Sequence, residues 1–267
     1  MSSSISPREI RRIILEQSKR AHVGHIGCAL SVADIIAALM SGPLRISAAG
    51  ARDRDRLVLS KGHAALALYA GLHLTGVLTR EELDSYCADG SFLGTHPERQ
   101  PGKGIDFSSG SLGQGLSMAC GAALAARLDG SSRRVFAVVS DAECNEGALW
   151  EAVMFAAHHR LASLTAIVDL NGQQALGYTR EVMDLSPMAG RWRSFGWDVH
   201  EADGHDAPAL TRLLAGLEPG DGPPHVVIAR TVSGKGVSFM EGQIKWHYWP
   251  LSDAEYEQAL REIGVEP

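Results

Sequence analysis

The sequence predicts an α/β fold with a doubly wound, mostly parallel sheet flanked by helices. Two observations carry this. Val135–Val139 and Leu164–Val168 are continuous apolar runs, as expected of strands covered on both faces. The helical pattern Ala148–His159 lies between them, so strand, helix and strand form a right-handed βαβ unit. The chain has no internal repeat and no long linker, so residues 1–267 read as one unit.

The remaining elements follow in order. Ser6, Pro7 and Glu9 mark a helix start, with Ser6 as N-cap and Glu9 closing a capping box. Ile10, Ile13, Ile14 and Gln17 give that helix, Pro7–Arg20, an inner side. A glycine-containing loop, His22–Gly27, precedes an apolar helix opened by Ser31–Asp34 and running through Met40. Arg56–Ser60 reads as a short buried strand, Ala64–Leu72 as a helix, and Thr79–Glu82 as the start of another. Residues 88–110 are loop-like, and Gly113–Leu128 is a helix of small residues suited to close packing. Strands are expected at Asp198–Glu201 and His225–Ala229, after the Pro/Gly-rich loop 219–224. Ser252 caps a last helix, which Gly264 stops.

Composition narrows the function classes. The formal charge is −6, with 25 basic and 31 acidic residues, so nothing suggests a nucleic-acid partner. No apolar run is long enough to span a membrane, and the N-terminus reads as a helix rather than a signal peptide. The four cysteines show no CxxC spacing and fit a reducing compartment, which points to the cytoplasm.

In an open parallel sheet, ligands bind beyond the carboxyl ends of the strands. There Asp141 offers a carboxylate and Asn171 an amide oxygen from the ends of two adjacent strands. Hard oxygens with a single charge suit Mg²⁺, whose shell substrate phosphates and water usually complete. Small Ser140 and Ala142 let a diphosphate approach the backbone, and the following helix adds N-terminal amides. The alternative reading makes Asp141 a helix N-cap and Asn171 a turn residue.

Several stretches, in order, resemble the motifs of the transketolase family. Ser140–Gly147, Trp150–Ala152 and Asp169–Asn171 are similar to its thiamine-diphosphate motif, which opens Gly-Asp-Gly and closes on Asn. Gly24–Gly27, Leu59–Ala64, Thr95–Glu98, Gly110–Gly115, Gly234–Gly236, Glu241 and Trp246–His247 resemble further family segments. The resemblance spans roughly residues 10 to 250.

It implies the thiamine-diphosphate-binding fold of the diphosphate-domain type. By it, Asp141, Asn171 and the Gln173 carbonyl ligate Mg²⁺ or another divalent cation such as Ca²⁺ or Mn²⁺. His63, Ala142 and Glu143 belong to the cofactor site, and Gly110, Ser111 and Leu112 lie beside the cofactor rings. His25, His96 and His247 surround the reacting carbon, a place for imidazoles that titrate near neutrality. Glu146 and Glu151 resemble interface glutamates, although Glu146 also suits a helix N-terminus. Lys61 and Lys235 offer positive charge near phosphates, with solvated lysine as the default expectation. His205 has a structural place in its turn, and His73, His158, His159, His200 and His225 lie outside the site.

Ser140 and Ala142 stand where the family motif has glycines, and alanine resists a positive φ if the turn needs one. Ile26, Thr95 and Ser111 also depart from the pattern. Family members continue into a domain that activates the cofactor's pyrimidine, and this sequence stops short of it. The expected partner is therefore a C-terminal, pyrimidine-binding subunit in an α2β2 heterotetramer, with sugars or sugar phosphates as substrates. The expected reaction moves a two-carbon ketol unit from a ketose to an aldose. The alternatives are another thiamine-dependent carboligase, of deoxyxylulose-phosphate-synthase or specialised type, and a non-catalytic subunit.

Overall fold

The computed structural model describes residues 4–46, 53–217 and 219–265. Five parallel strands form the sheet: β1 (Arg56–Leu59), β2 (Val135–Ser140), β3 (Leu164–Leu170), β6 (Asp198–Asp203) and β7 (His225–Arg230). Their spatial order is β1-β2-β3-β7-β6. A short antiparallel pair, β4 (Gln173–Gln174) and β5 (Gly177–Tyr178), sits apart from it.

The period-two geometry of a strand divides its side chains between two layers. On β2, Phe136 and Val138 face one core, with Ile167 and Val227 of neighbouring strands. That core is closed by α1 (Pro7–Ala21), α2 (Ile26–Ser31), α3 (Ala33–Met40), α4 (Ala65–Leu74) and, beyond α5 (Arg80–Asp84), α10 (Ala207–Gly216). Val135, Ala137 and Val139 face the other core, under α6 (Gly115–Leu128) and α7 (Gly147–His158). Trp192 and Trp197 close this layer, their rings 4.8 Å apart. The remaining helices are α8 (Thr179–Val182), α9 (Met188–Ser194), which carries Trp192, and α11 (Asp253–Glu262). The sheet is doubly wound, as the sequence predicts.

Local signals mostly place the elements correctly. Ser6 Oγ accepts the Glu9 N–H, but the Glu9 carboxylate pairs with Arg12 instead of completing a capping box. Thr79 and Ser252 do form full capping boxes. The segment 22–27 is less of a loop than its glycines suggest, because α2 already starts at Ile26. None of the sequence signals above marks α8, α9 or α10. Asp206 caps α10 by accepting the Ala209 N–H, with Pro208 in the first turn.

A buried charge cluster ties the helical layer to the sheet. Asp34 on α3 pairs with Arg11 on α1 and accepts a 2.8 Å hydrogen bond from His205 Nδ1. His205 Nε2 accepts the Val232 N–H at 2.8 Å, so this imidazole is the neutral Nδ1–H tautomer. His205 thus has the structural place expected of it. Burial alone would raise the Asp34 carboxyl, but His205 and Arg11 outweigh it and hold it below the usual carboxylate value. The stabilisation is therefore complete above about pH 4, the unfolded value, and is lost as pH falls through the lower folded one. Asp34→Ala is expected to cost about 1.5–3 kcal/mol at pH 7 in chemical unfolding, because it leaves the half-buried Arg11 and His205 without their charged acceptor. The difference from the parent protein should shrink below pH 4. A loss under 1 kcal/mol would remove the cluster from the account.

Candidate active site

β2 and β3 end side by side, with Ser140 opposite Asp169 in register. The chain leaves β2 in a tight turn, Ala142–Asn145, begun by Asp141. Asp141 Oδ1 accepts the Ala142 N–H at 2.9 Å, and Oδ2 accepts the Gly172 N–H at 2.7 Å. The capping role is therefore present, and it links the two strand ends. Ser140 Oγ accepts the Glu143 N–H at 3.1 Å. Ala142 is absent from the positive-φ residues, which among the described non-glycines are His22, His25, Cys87 and Arg160. The turn thus accommodates Ser140 and Ala142 without the strain that glycine would have been needed to avoid. Burial, aided by the nearby Asp169 charge, pushes the Asp141 carboxyl up to about 7. A bound cation would reverse that penalty.

Beneath this turn lies a buried polar network. Asp169 has no exposure and accepts from Lys61 Nζ, from Thr231 Oγ1 and, at 2.8 Å, from Ser31 Oγ. Asn171 Nδ2 donates to Asp169 Oδ2 at 2.9 Å, while Asn171 Oδ1 accepts the Gln173 N–H at 2.9 Å. Lys61 corrects the sequence expectation of a solvated lysine: it is fully buried. Burial disfavours its ammonium, but the Asp169 carboxylate outweighs that and its pKa is raised. Lys235 keeps partial exposure and lies near Glu241.

Glu143 is also fully buried. Its carboxylate accepts from Ser60 Oγ and from the Gly113 N–H at 2.8 Å. It therefore anchors the Gly110–Gly115 loop to the end of β2 and does not line the cleft. Ser111 is exposed and also stands outside the lining, whereas Gly110 and Leu112 belong to it. Gly110 has a φ of +137°, and a Cβ there would lie 2.8 Å from His96 Cδ2. Only glycine lets this loop and His96 share the space.

Four imidazoles meet over the strand ends. His25 lies 5.6 Å from His63, 6.1 Å from His96 and 5.3 Å from His247 between ring centroids. His63 and His247 are 5.4 Å apart. His25 takes a left-handed conformation at the start of α2, and its buried Nδ1 has no hydrogen-bond partner. Thr95 Oγ1 is 3.2 Å from His96 Nδ1. Cys28 Sγ lies 3.3 Å from His247 Nδ1, and burial pushes its thiol up to about 11. Burial and neighbouring charges lower His25 and His63, and they take His247 to about 4.

These groups line a cleft of about 250 Å³ that also includes Lys61, Ala142, Asn171 and Gln173. A larger adjoining cavity, about 370 Å³, is walled by Asp141 and Met183–Ala189 but contains none of the histidines. The four histidines line the smaller one, and Asp141 stands on the wall of the larger. Glu146 is exposed at its rim, and Glu151 is exposed on α7. His200 and His225 meet Asp198 far from the cleft, each 3.1 Å from Asp198 Oδ2, which they satisfy as donors.

Residues 4–267 match the family described as "Transketolase, thiamine diphosphate binding domain". The chain belongs to the transketolase family. Over 259 residues it is 39% identical to the 6-deoxy-6-sulfo-D-fructose transketolase subunit SqwG of Clostridium sp. (strain MSTE9). That alignment covers 96% of this chain and 94% of the relative. It is 38% identical to one subunit of the apulose-4-phosphate transketolase of Phocaeicola vulgatus, across 95% of this chain and 91% of that one. The solved transketolase of Campylobacter jejuni superposes with a TM-score of 0.91 at 29% identity, matching 100% of this chain but 44% of that one. Transketolase-family subunits of this length are thus among its relatives, as are chains more than twice as long.

The lowered histidines have a measurable consequence. Each contributes stability that is present above its unfolded value of about 6.5 and is lost as pH falls through the folded one. The cofactor-free protein is expected to lose thermal stability steadily between pH 6.5 and pH 4. His63→Gln should flatten that decline in a melting series. An unchanged slope would mean that His63 is not held neutral.

Proposed function

We propose that this chain is the diphosphate-binding half of a two-subunit, magnesium-dependent transketolase, which moves a two-carbon ketol unit from a ketose to an aldose. The full-length match to named transketolase subunits is the observation that carries this reading. The names of those relatives suggest a donor with an anionic tail, a sulfonate or a phosphate. The partner supplies the pyrimidine-binding half, in an α2β2 assembly. Four unpaired cysteines suit a cytoplasmic setting.

The residues present fit the implied groups. Asp141 and Asn171 offer hard oxygens at adjacent strand ends, and the Gln173 carbonyl would be the third protein ligand for Mg²⁺ or a similar cation. Three oxygens and one charge leave room for a diphosphate and water. The cradle beside His96 exists only because Gly110 lacks a Cβ. Bound thiamine diphosphate supplies the carbon nucleophile and electron sink that sugars lack.

The chain's own groups do the rest. His63 would hold the diphosphate, together with the Ala142 N–H once Asp141 Oδ1, which it meets at 2.9 Å in this structure, turns to the cation. Gly110 and Leu112 would flank the rings. His25, His96 and His247 would orient the sugar and move protons at its hydroxyls. Burial keeps His25 and His247 in the neutral, proton-accepting form, and the negative charge of a bound diphosphate would raise them back toward neutrality, where proton transfer is most effective. The reading of a non-catalytic subunit finds no support in a site whose four histidines converge and whose departures from the motif fit the turn without strain.

In the reconstituted pair, Asp141→Ala is expected to weaken Mg²⁺-dependent retention of thiamine diphosphate by about 100-fold or more. That is the upper end of the loss seen for groups that merely support a ligand. Ketol transfer, followed with sugar phosphates and sulfosugars as donors, should fall with it. Transfer that persists with unchanged Mg²⁺ dependence would refute the metal assignment. Activity of this chain alone would refute the two-subunit reading.

A further inference from the structure

An amide ligand has a right and a wrong way round. Asn171 Oδ1 is an acceptor that suits a hard cation, whereas Nδ2 carries two donors and repels one. A half-turn of the side chain exchanges them. The structure shows what prevents that turn. Nδ2 donates to Asp169 Oδ2 at 2.9 Å and lies 3.3 Å from Ser31 Oγ. Asp169 is itself fully buried, and Lys61, Thr231 and Ser31 all donate to it. A carboxylate so surrounded only accepts. Turning Asn171 over would set Oδ1 against Asp169 Oδ2, lone pairs against lone pairs, in a dry site where an unmade hydrogen bond costs most. In the observed orientation Oδ1 accepts the Gln173 N–H and keeps a second lone pair.

We infer that Asp169, locked by Lys61, is a positioning residue that fixes the Asn171 amide with its oxygen toward the metal site. This rests on the proposed ligand role of Asp141 and Asn171. Neither Asp169 nor Lys61 needs to touch the cation for the effect. The pair acts through Asn171, as groups behind a metal ligand commonly do.

The test uses the full chain reconstituted with its pyrimidine-binding partner. Mg²⁺ is titrated against thiamine diphosphate binding, read by tryptophan fluorescence. D169N is expected to raise the apparent Kd for Mg²⁺ about 10- to 100-fold. K61M/D169N keeps the net charge of the parent and replaces a buried ion pair with neutral groups, a change that folds usually tolerate. It should lose affinity to the same degree. Adding N171D to either variant should restore affinity to within a few-fold, because a carboxylate has no wrong face. Thermal melts without metal establish that the variants are folded. Parent-like affinity in K61M/D169N would show that only charge matters and would overturn the inference. So would a folded N171D variant that fails to recover. If the parent complex itself binds cofactor without Mg²⁺, the metal reading falls, and this inference falls with it.

Discussion

A carboxylate without access to water lies where β2 and β3 end side by side. Asp169 is tolerable there only because Lys61, Ser31 and Thr231 all donate to it. Those donors come from the end of β1, the end of α2 and the segment after β7. One buried anion therefore draws four parts of the chain to a single point, and Asn171 takes its orientation from the same point. Asp141, Ala142 and Gly172 close the roof above it. The arrangement is costly to disturb, since removing one member of a buried ion pair leaves the other uncompensated.

The cleft above has a different character. The imidazoles of His25, His63 and His247 are held neutral by burial and by neighbouring charges, and Lys61 adds positive charge from below. An anionic ligand meets a site whose negative side chains are Glu146 at the exposed rim and Asp141 beside it. The Asp141 carboxyl, raised by burial and by Asp169, is the group most relieved by a cation. Metal and diphosphate would thus favour each other's binding. The rim of the cleft carries exposed Glu146 and, close by, the exposed apolar rings of Tyr248 and Trp249. That suits a site shared with a second polypeptide.

Much of this was legible in the sequence, because the signals are local. Unbroken apolar runs named β2 and β3, and helix caps named α1, α5 and α11. The strand-end rule brought Asp141 and Asn171 together, and the motifs that resemble the transketolase family brought the four histidines. What escaped depends on tertiary partners. Nothing near Lys61 announces that Asp169, 108 positions away, will bury it. Glu143 looks like a ligand contact until Gly113 is seen to occupy its carboxylate. Cys28 comes to lie beside His247 across a separation of 219 residues. Ala142 raised a concern about positive φ that the backbone, turning through a short 3₁₀ helix, does not bear out.

The most direct test of the account is an anomalous diffraction map of the thiamine-diphosphate complex grown with Mn²⁺ in place of Mg²⁺. The account expects one strong peak within about 2.5 Å of both an Asp141 oxygen and Asn171 Oδ1, near the oxygen-ligand distances of such cations. A peak that leaves Asn171 out, or a complex whose only metal sits at Asp198, His200 and His225, would contradict it.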